Sequence, residues 1–347
     1  MIEVAVVGAG RWGPNLIGNF ESSGRSRVRY VIDQDTQRLA AIESRFSSPR
    51  VGTDFGAVVD DPAVDAVVIA TPTATHFELA RLALEKGKHV LVEKPLTHSV
   101  DSARELCELA ESRGLVLMVG HVFLYNAAAR RVKKYIQDDE LGLIFYISMS
   151  RTNLGPIRTD VDAAWDLAAH DVSLASFWLG AWPSRVSAIG GAFINAGIAD
   201  VIFATLRYPG GVLVNLHASW LNPRKSREIT VVGDKKMLIF DDVNLEAPIA
   251  LHDKQVADGR GGGRSATTPV VDSFSSFRTS VHFGEVTQPP VEPSEPLRNE
   301  CEHFLDCLSA GSQPLSDGRS GLAVVRVLDA ISISMRENGR EVEVETE

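Results

Sequence analysis

The stretch Ile2-Glu3-Val4-Ala5-Val6-Val7-Gly8-Ala9-Gly10-Arg11-Trp12-Gly13 decides the fold. An apolar, β-branched run ends in glycines at the first, third and sixth places of a turn, and residues 15–20 then have the pattern of a helix start. Each glycine has its own task. Gly8 permits the tight turn, Gly10 lets backbone approach a diphosphate, and Gly13 lets the helix close on the strand. Unpaired N–H groups and the helix dipole favour negative charge at that N-terminus. A second apolar run, residues 28–32, ends at Asp33, which stands 20 residues past Gly13 (33 − 13). That is the spacing of a carboxylate that hydrogen-bonds the ribose hydroxyls of a dinucleotide. The glycines alone are a weak signal, and the strand before them and the acid after them supply the context.

The same alternation continues. Helices are expected over 37–46, 55–59, 77–86 and 99–113, and strands at 51, 66–70, 89–92 and 115–119. Continuous apolar runs such as 66–70 suit strands covered on both faces, so residues 1–123 read as an α/β domain with a parallel, doubly wound sheet. Ligands of such sheets lie beyond the carboxyl ends of the strands. Those ends carry Gly8, Asp33, Thr71-Pro72-Thr73, Glu93-Lys94 and Gly120-His121, with His76 opening the helix after Thr71. Lys94 precedes a proline that restricts the local backbone, and an ammonium there can hold a substrate hydroxyl. Arg11, Trp12, Thr71, Pro72, Thr73, His76, Glu93, Lys94 and His121 join the glycines and Asp33 as candidate cofactor contacts.

At 347 residues the chain exceeds the usual span of a single core, so two domains are expected. Its net charge of −10, without a long basic cluster, argues against nucleic acid and anionic membrane surfaces as partners. Cys107, Cys301 and Cys307 have no metal or redox spacing and read as reduced thiols. With a strand starting at residue 2 and no bilayer-length apolar run, the expected location is the cytoplasm.

From residue 124 the alternation stops. Strands are expected over 145–150, 185–190, 201–208, 212–219, 228–232 and 237–240, with turns such as Tyr208-Pro209-Gly210-Gly211. Residues 124–347 therefore read as an α+β domain with a large, mainly antiparallel open sheet, the last helices (297–309 and 320–338) being able to pack back on the first domain. One face needs helical cover, and association into a homodimer or homotetramer would cover the other. A helix over 162–179, closed by Gly180, places Asp166 and His170 one turn apart, where a carboxylate can orient an imidazole that acts as a base. Neighbouring residues 170 and 171 diverge on a helix, so no metal site is expected. Arg151, Asn153 and Arg158 are candidate contacts for a polyol or an anionic group. Residues 257–269 read as a glycine-rich excursion.

These motifs together resemble the Gfo/Idh/MocA oxidoreductases, the group of glucose–fructose oxidoreductase and inositol dehydrogenase. The likeness rests on Gly8-Ala9-Gly10-Arg11-Trp12-Gly13, Glu93-Lys94-Pro95 and Trp165-Asp166-Leu167-Ala168-Ala169-His170-Asp171. It implies a Rossmann domain followed by an oligomer-forming domain, with Lys94, Asp166 and His170 as the catalytic group and Tyr125 and Asn126 near the substrate. Leu124-Tyr125-Asn126 and Asn153-Leu154-Gly155-Pro156 look most like the branch that acts on nucleotide-linked sugars. The expected reaction passes hydride between NAD (NADP being the alternative) and a secondary alcohol or ketone of a sugar, sugar nucleotide or cyclitol. Two rival readings are glycoside cleavage with transient redox at NAD, and an NAD-sensing binding protein without catalysis.

Overall fold

The computed structural model describes residues 1–256 and 281–345, so the glycine-rich 257–269 lies outside the described residues. The chain divides into two compact units, one of residues 1–126 with 294–330 and one of 127–293 with 331–347.

In the first unit, β1 (Ile2–Val7), α1 (Gly13–Ser22), β2 (Ser26–Ile32), α2 (Thr36–Arg45), β3 (Arg50–Gly52), α3 (Phe55–Asp60), β4 (Ala66–Ile69), α4 (His76–Glu85), β5 (His89–Glu93), α5 (Val100–Ser112) and β6 (Leu117–Gly120) follow in order. The strands form a six-stranded parallel sheet ordered β3-β2-β1-β4-β5-β6. The order reverses between β1 and β4, which is where such sheets open a ligand crevice. The core is the β-branched sequence itself: Val4, Val6, Val67, Val68, Ile69, Val90 and Val92 are all buried. Short polar side chains start the helices. Asp35, Asp54 and Ser99 accept from backbone N–H groups at the N-termini of α2, α3 and α5.

The second unit contains α6 (Ala127–Gln137), β7 (Ile144–Leu154), a π turn (Ala164–Ala168) leading into α7 (Ala169–Leu179), then β8 (Arg185–Gly191), β9 (Val201–Arg207), β10 (Leu213–Ser219), β11 (Leu221–Gly233), β12 (Met237–Asp241), β13 (Ile249–Val256) and β14 (Val281–Thr287). With β15 (Val342–Glu343) they form a nine-stranded sheet, β14-β13-β12-β11-β7-β10-β9-β8-β15. Only the β7–β10 pairing is parallel among the described strands. Helices α6 and α7 pack on each other and on this sheet. Trp178 anchors them: it is fully buried, donates to the Ala129 carbonyl at 2.9 Å and meets Phe240 edge-on at 5.9 Å. Two expectations change here. Residues 151–153 lie within β7 rather than after it, because β7 runs to Leu154, and the helix expected over 162–179 begins as a π turn.

Helix α8 (Pro296–Ala310) belongs to the first unit, where it packs on α1 and on the 3-10 turn Val122–Tyr125. Helix α9 (Gly318–Arg336) contributes its residues through Ala330 to that unit as well. All three cysteines are free and buried.

Candidate active site

In the first unit the carboxyl ends of the strands gather the expected cofactor contacts. Gly8 has φ of +102°, and a Cβ there would lie 2.6 Å from the Ala70 carbonyl oxygen. A Cβ on Gly13 would collide with the Gly8 carbonyl oxygen, so the turn closes on α1 only with glycine. No side chain caps α1, and its first turn holds no acid, which suits an incoming diphosphate. Asp33 is tied to the turn: one oxygen accepts from the Ala9 N–H at 2.6 Å and the other from the Asp35 N–H at 2.8 Å. Arg11 and Trp12 are exposed beside it. Sequence reasoning missed Arg38, whose guanidinium lies 3.9 Å from Asp33, 3.2 Å from Asp35 and 3.6 Å from where a Cβ on Gly10 would sit. An arginine shortly after the second strand is a signal for dinucleotide recognition that was available in the sequence.

The next strand ends divide into open and closed positions. Thr71 accepts from the Thr75 hydroxyl at 2.7 Å, Pro72 is exposed and Thr73 is buried. His76, expected at the cofactor, is buried, with Nδ1 2.9 Å from the Pro95 carbonyl and Nε2 2.9 Å from the Thr71 carbonyl. Burial lowers its pKa, and a neutral imidazole has one N–H, so it donates to one of the two carbonyls at a time. It ties the loop after β4 to the loop after β5.

Glu93 pairs with Gly120 across β5 and β6, so Lys94 and His121 follow from neighbouring strand ends. The Glu93 carboxyl folds over Gly120, with Oε2 3.3 Å from the place of a Cβ. Burial pushes its pKa up to about 7, against the Lys94 charge and a hydrogen bond from the Lys94 backbone N–H. His121 is buried, and neither ring nitrogen has a hydrogen-bond partner among the described residues. Burial, then the Lys94 charge, push its pKa down to about 3. Tyr125, expected at the substrate, is only 1% exposed, and its hydroxyl is engaged by Ser316 at 2.9 Å. Packing of α8 over the 3-10 turn has made it a core residue. Asn126, at the end of that turn, is half-buried.

In the second unit Asp166 is held from two sides, accepting from Arg158 Nη1 at 3.0 Å and from Trp220 Nε1 at 3.1 Å. Trp220 is buried and was not foreseen, because it comes from the junction of β10 and β11, far away in sequence. Arg158 also forks onto Asp160, at 2.9 and 2.5 Å. It is occupied by two carboxylates rather than turned toward an anionic ligand. Arg151 is likewise not open: its Nε and Nη2 reach Asp171 Oδ1 at 2.9 and 2.7 Å, with both side chains buried. As part of β7, it points into the core, where α7 supplies the counter-charge. Asn153 is half-buried, and its Oδ1 has no hydrogen-bond partner among the described residues. His170 is half-buried in the first turn of α7, directly after the π turn that carries Asp166. Such turns recur at functional sites because they break the 3.6-residue register. Among the described residues there is no group of three or more His, Cys, Asp or Glu placed to hold a metal, and no helix long and apolar enough to cross a membrane.

Comparison with known proteins agrees with this geometry. Residues 2–121 match the model of an oxidoreductase family with an NAD-binding Rossmann fold, and residues 129–239 match the Gfo/Idh/MocA C-terminal domain. The chain is 29% identical over 328 residues to UDP-N-acetylglucosamine 3-dehydrogenase of Acidithiobacillus ferrooxidans, covering 93% of this chain and 94% of the relative. That enzyme's solved structure superposes with a TM-score of 0.80 at 26% identity, covering 97% and 98% of the two chains. The scyllo-inositol 2-dehydrogenase (NAD+) of Bacillus subtilis is 25% identical over 326 residues, 90% of this chain and 88% of that one. GenD2 from gentamicin A biosynthesis, solved in complex with NAD, gives a TM-score of 0.80 at 25% identity, covering 99% and 97%. With a dinucleotide cradle in one unit and both family models matched, the chain belongs to the Gfo/Idh/MocA family and is an NAD(P)-dependent oxidoreductase.

Proposed function

We propose that the protein oxidises a secondary alcohol of a nucleotide-linked sugar, or reduces the corresponding ketone, with Lys94, Asp166 and His170 as its catalytic group. The carrying observation is Lys94 at the carboxyl end of β5, in the same unit as the glycine cradle and Asp33. The 29%-identical dehydrogenase of a UDP-sugar supports the substrate class. Bound NAD supplies the hydride acceptor. His170 takes the hydroxyl proton, and the Lys94 ammonium steadies the negative charge that develops on oxygen. Asp166, fixed by Arg158 and Trp220, supplies a rigid carboxylate on the turn that leads to His170. Asp33 disfavours a 2′-phosphate, whereas Arg38 beside it attracts one, so NAD is the main cofactor and NADP a measurable second. The protein works as a homodimer or homotetramer through the open face of its nine-stranded sheet. The free thiols suit the cytoplasm.

The test is NADH appearance across UDP-, TDP- and GDP-sugars, inositols and free hexoses. Lys94→Ala should lower turnover by about 10²–10⁴-fold, the usual worth of such a group, while NADH still binds in a fluorescence titration. Unchanged turnover would remove the lysine from the reaction.

A further inference from the structure

We propose that Asp35 is a specificity-determining residue for the cofactor: its carboxylate engages the Arg38 guanidinium and so keeps the ribose end of the site for NAD rather than NADP. This role rests on the reading that Asp33 faces the adenosine ribose.

The groups concerned stand within residues 33–38, and the geometry lies wholly in the first unit. Asp35 is the N-cap of α2, and Arg38 is the third residue of that helix. In a capping box the N-cap backbone N–H goes to an acid three residues on. Here Asp33 takes that N–H, with Oδ1 at 2.8 Å, so position 38 is released to a cation. The two oxygens of Asp35 divide the work. Oδ1 caps the helix, accepting from the Gln37 N–H at 2.9 Å and the Arg38 N–H at 3.3 Å. Oδ2 meets Arg38 Nε at 3.2 Å. This contact directs the guanidinium back across Asp33. Its Nη1 lies 3.9 Å from Asp33 Oδ2 and 3.6 Å from where a Cβ on Gly10 would sit. Gln34, by contrast, turns away and donates to the Thr53 carbonyl at 3.0 Å.

A 2′-phosphate is an anion with strong acceptor oxygens, and a guanidinium can fork onto it. The Arg38 side chain is 54% exposed, so an incoming phosphate can reach it. It would meet a single positive charge already set against two carboxylates, Asp33 and Asp35. The uncharged 2′-hydroxyl of NAD feels no such opposition. Asp33 has a further duty, because its Oδ2 accepts from the Ala9 N–H in the glycine turn. Removing the Asp35 charge leaves that tie in place. An exposed pair like Asp35–Arg38 contributes little to stability, so its loss costs the fold little.

The test reads NADH and NADPH affinities by nucleotide fluorescence titration, with no sugar present. Asp35→Asn keeps an oxygen to cap α2 and removes the charge, since Asn caps as well as Asp. NADH affinity should stay within about twofold while NADPH affinity rises about tenfold, the worth of one carboxylate beside a phosphate in water. Asp35→Ser, which also caps without a charge, should give the same shift. In an Arg38→Gln background the gain from Asp35→Asn should fall to about threefold or less, because it works through the guanidinium. Direct repulsion of the phosphate by Asp35 would survive the loss of Arg38, so a gain that persists there in full overturns the proposal. An NADPH-to-NADH ratio that neither Asp35 variant moves overturns it too, as does an equal loss of both nucleotides, the mark of a plain helix cap. A wild type that binds neither nucleotide overturns the cofactor reading along with it. With NADH bound and the ratio unmoved, the Asp35 role alone fails.

Discussion

His121 and Glu93 stand at adjoining strand ends, and the same burial pushes them in opposite directions. His121 falls from the ordinary 6.5 to about 3, so between those values the unfolded chain binds the proton and the folded one does not. Its contribution to stability is present above 6.5 and is lost as pH falls, by at most about 1.4 kcal/mol per pH unit. Glu93 rises from 4.5 to about 7, so stability grows as pH falls through that window, which partly hides the histidine. His121→Asn should therefore cost stability at neutral pH and progressively less toward about pH 5. Thermal melts at several pH values check this, and a difference in Tm that stays constant with pH refutes it. Arg151 shows the same lesson about burial. A strand-borne arginine that reads as a ligand contact is closed by Asp171 at 2.7 Å, and losing one partner of such a pair costs about 3–5 kcal/mol.

Among the elements, α1 and the turn before it are the proposed seat of the cofactor diphosphate, and that turn is held open by what is missing from it. A methyl group at position 13 would meet the Gly8 carbonyl oxygen, and that oxygen belongs to the residue whose backbone crowds Ala70. Gly13→Ala should fold with its sheet intact and lose NADH affinity by at least about tenfold, since the N–H groups at the helix start can no longer be presented together. Titration by NADH fluorescence checks the affinity and circular dichroism checks the fold. Wild-type affinity in the variant would mean that the diphosphate does not sit on α1. In the second unit a π turn leads into α7. It interrupts the 3.6-residue register between Asp166 and His170, and Arg158 and Trp220 are the side chains that hold Asp166.

For the molecule as a whole, the proposed assembly would form on the face of the nine-stranded sheet that bears exposed apolar side chains among the described residues. Ile189 and Phe203 are in register, Phe203 stacks on His217 with centroids 4.5 Å apart, and Tyr146 is in register with Leu213. All four apolar side chains are exposed, Phe203 by 46% and Ile189 by 57%, while α6 and α7 pack on this sheet from elsewhere. Rows of this kind are covered in oligomers more often than left to water. Phe203→Glu should reduce the particle mass measured by light scattering toward that of one chain, with circular dichroism unchanged. A wild-type protein that already has the mass of one chain would refute the assembly.

The parallel sheet, its crevice and the dinucleotide cradle were legible without coordinates, because they follow from local rules. Apolar runs of strand length alternate with helices, and glycines stand where backbone must come close. The same holds for the carboxyl-end placing of Asp33, Glu93 and Lys94. What the linear pattern did not contain was which polar side chains are already occupied. Tyr125, His76, Arg151 and Arg158 are closed by Ser316, by the Pro95 and Thr71 carbonyls, by Asp171, and by Asp160 with Asp166. That Glu300 on α8 is buried is equally invisible in sequence. By itself the sequence determined the fold and the cofactor class, since periodicity and steric permission act over a few residues. Only the tertiary structure decided which charged groups are spent inside the protein, because burial and pairing depend on residues distant along the chain.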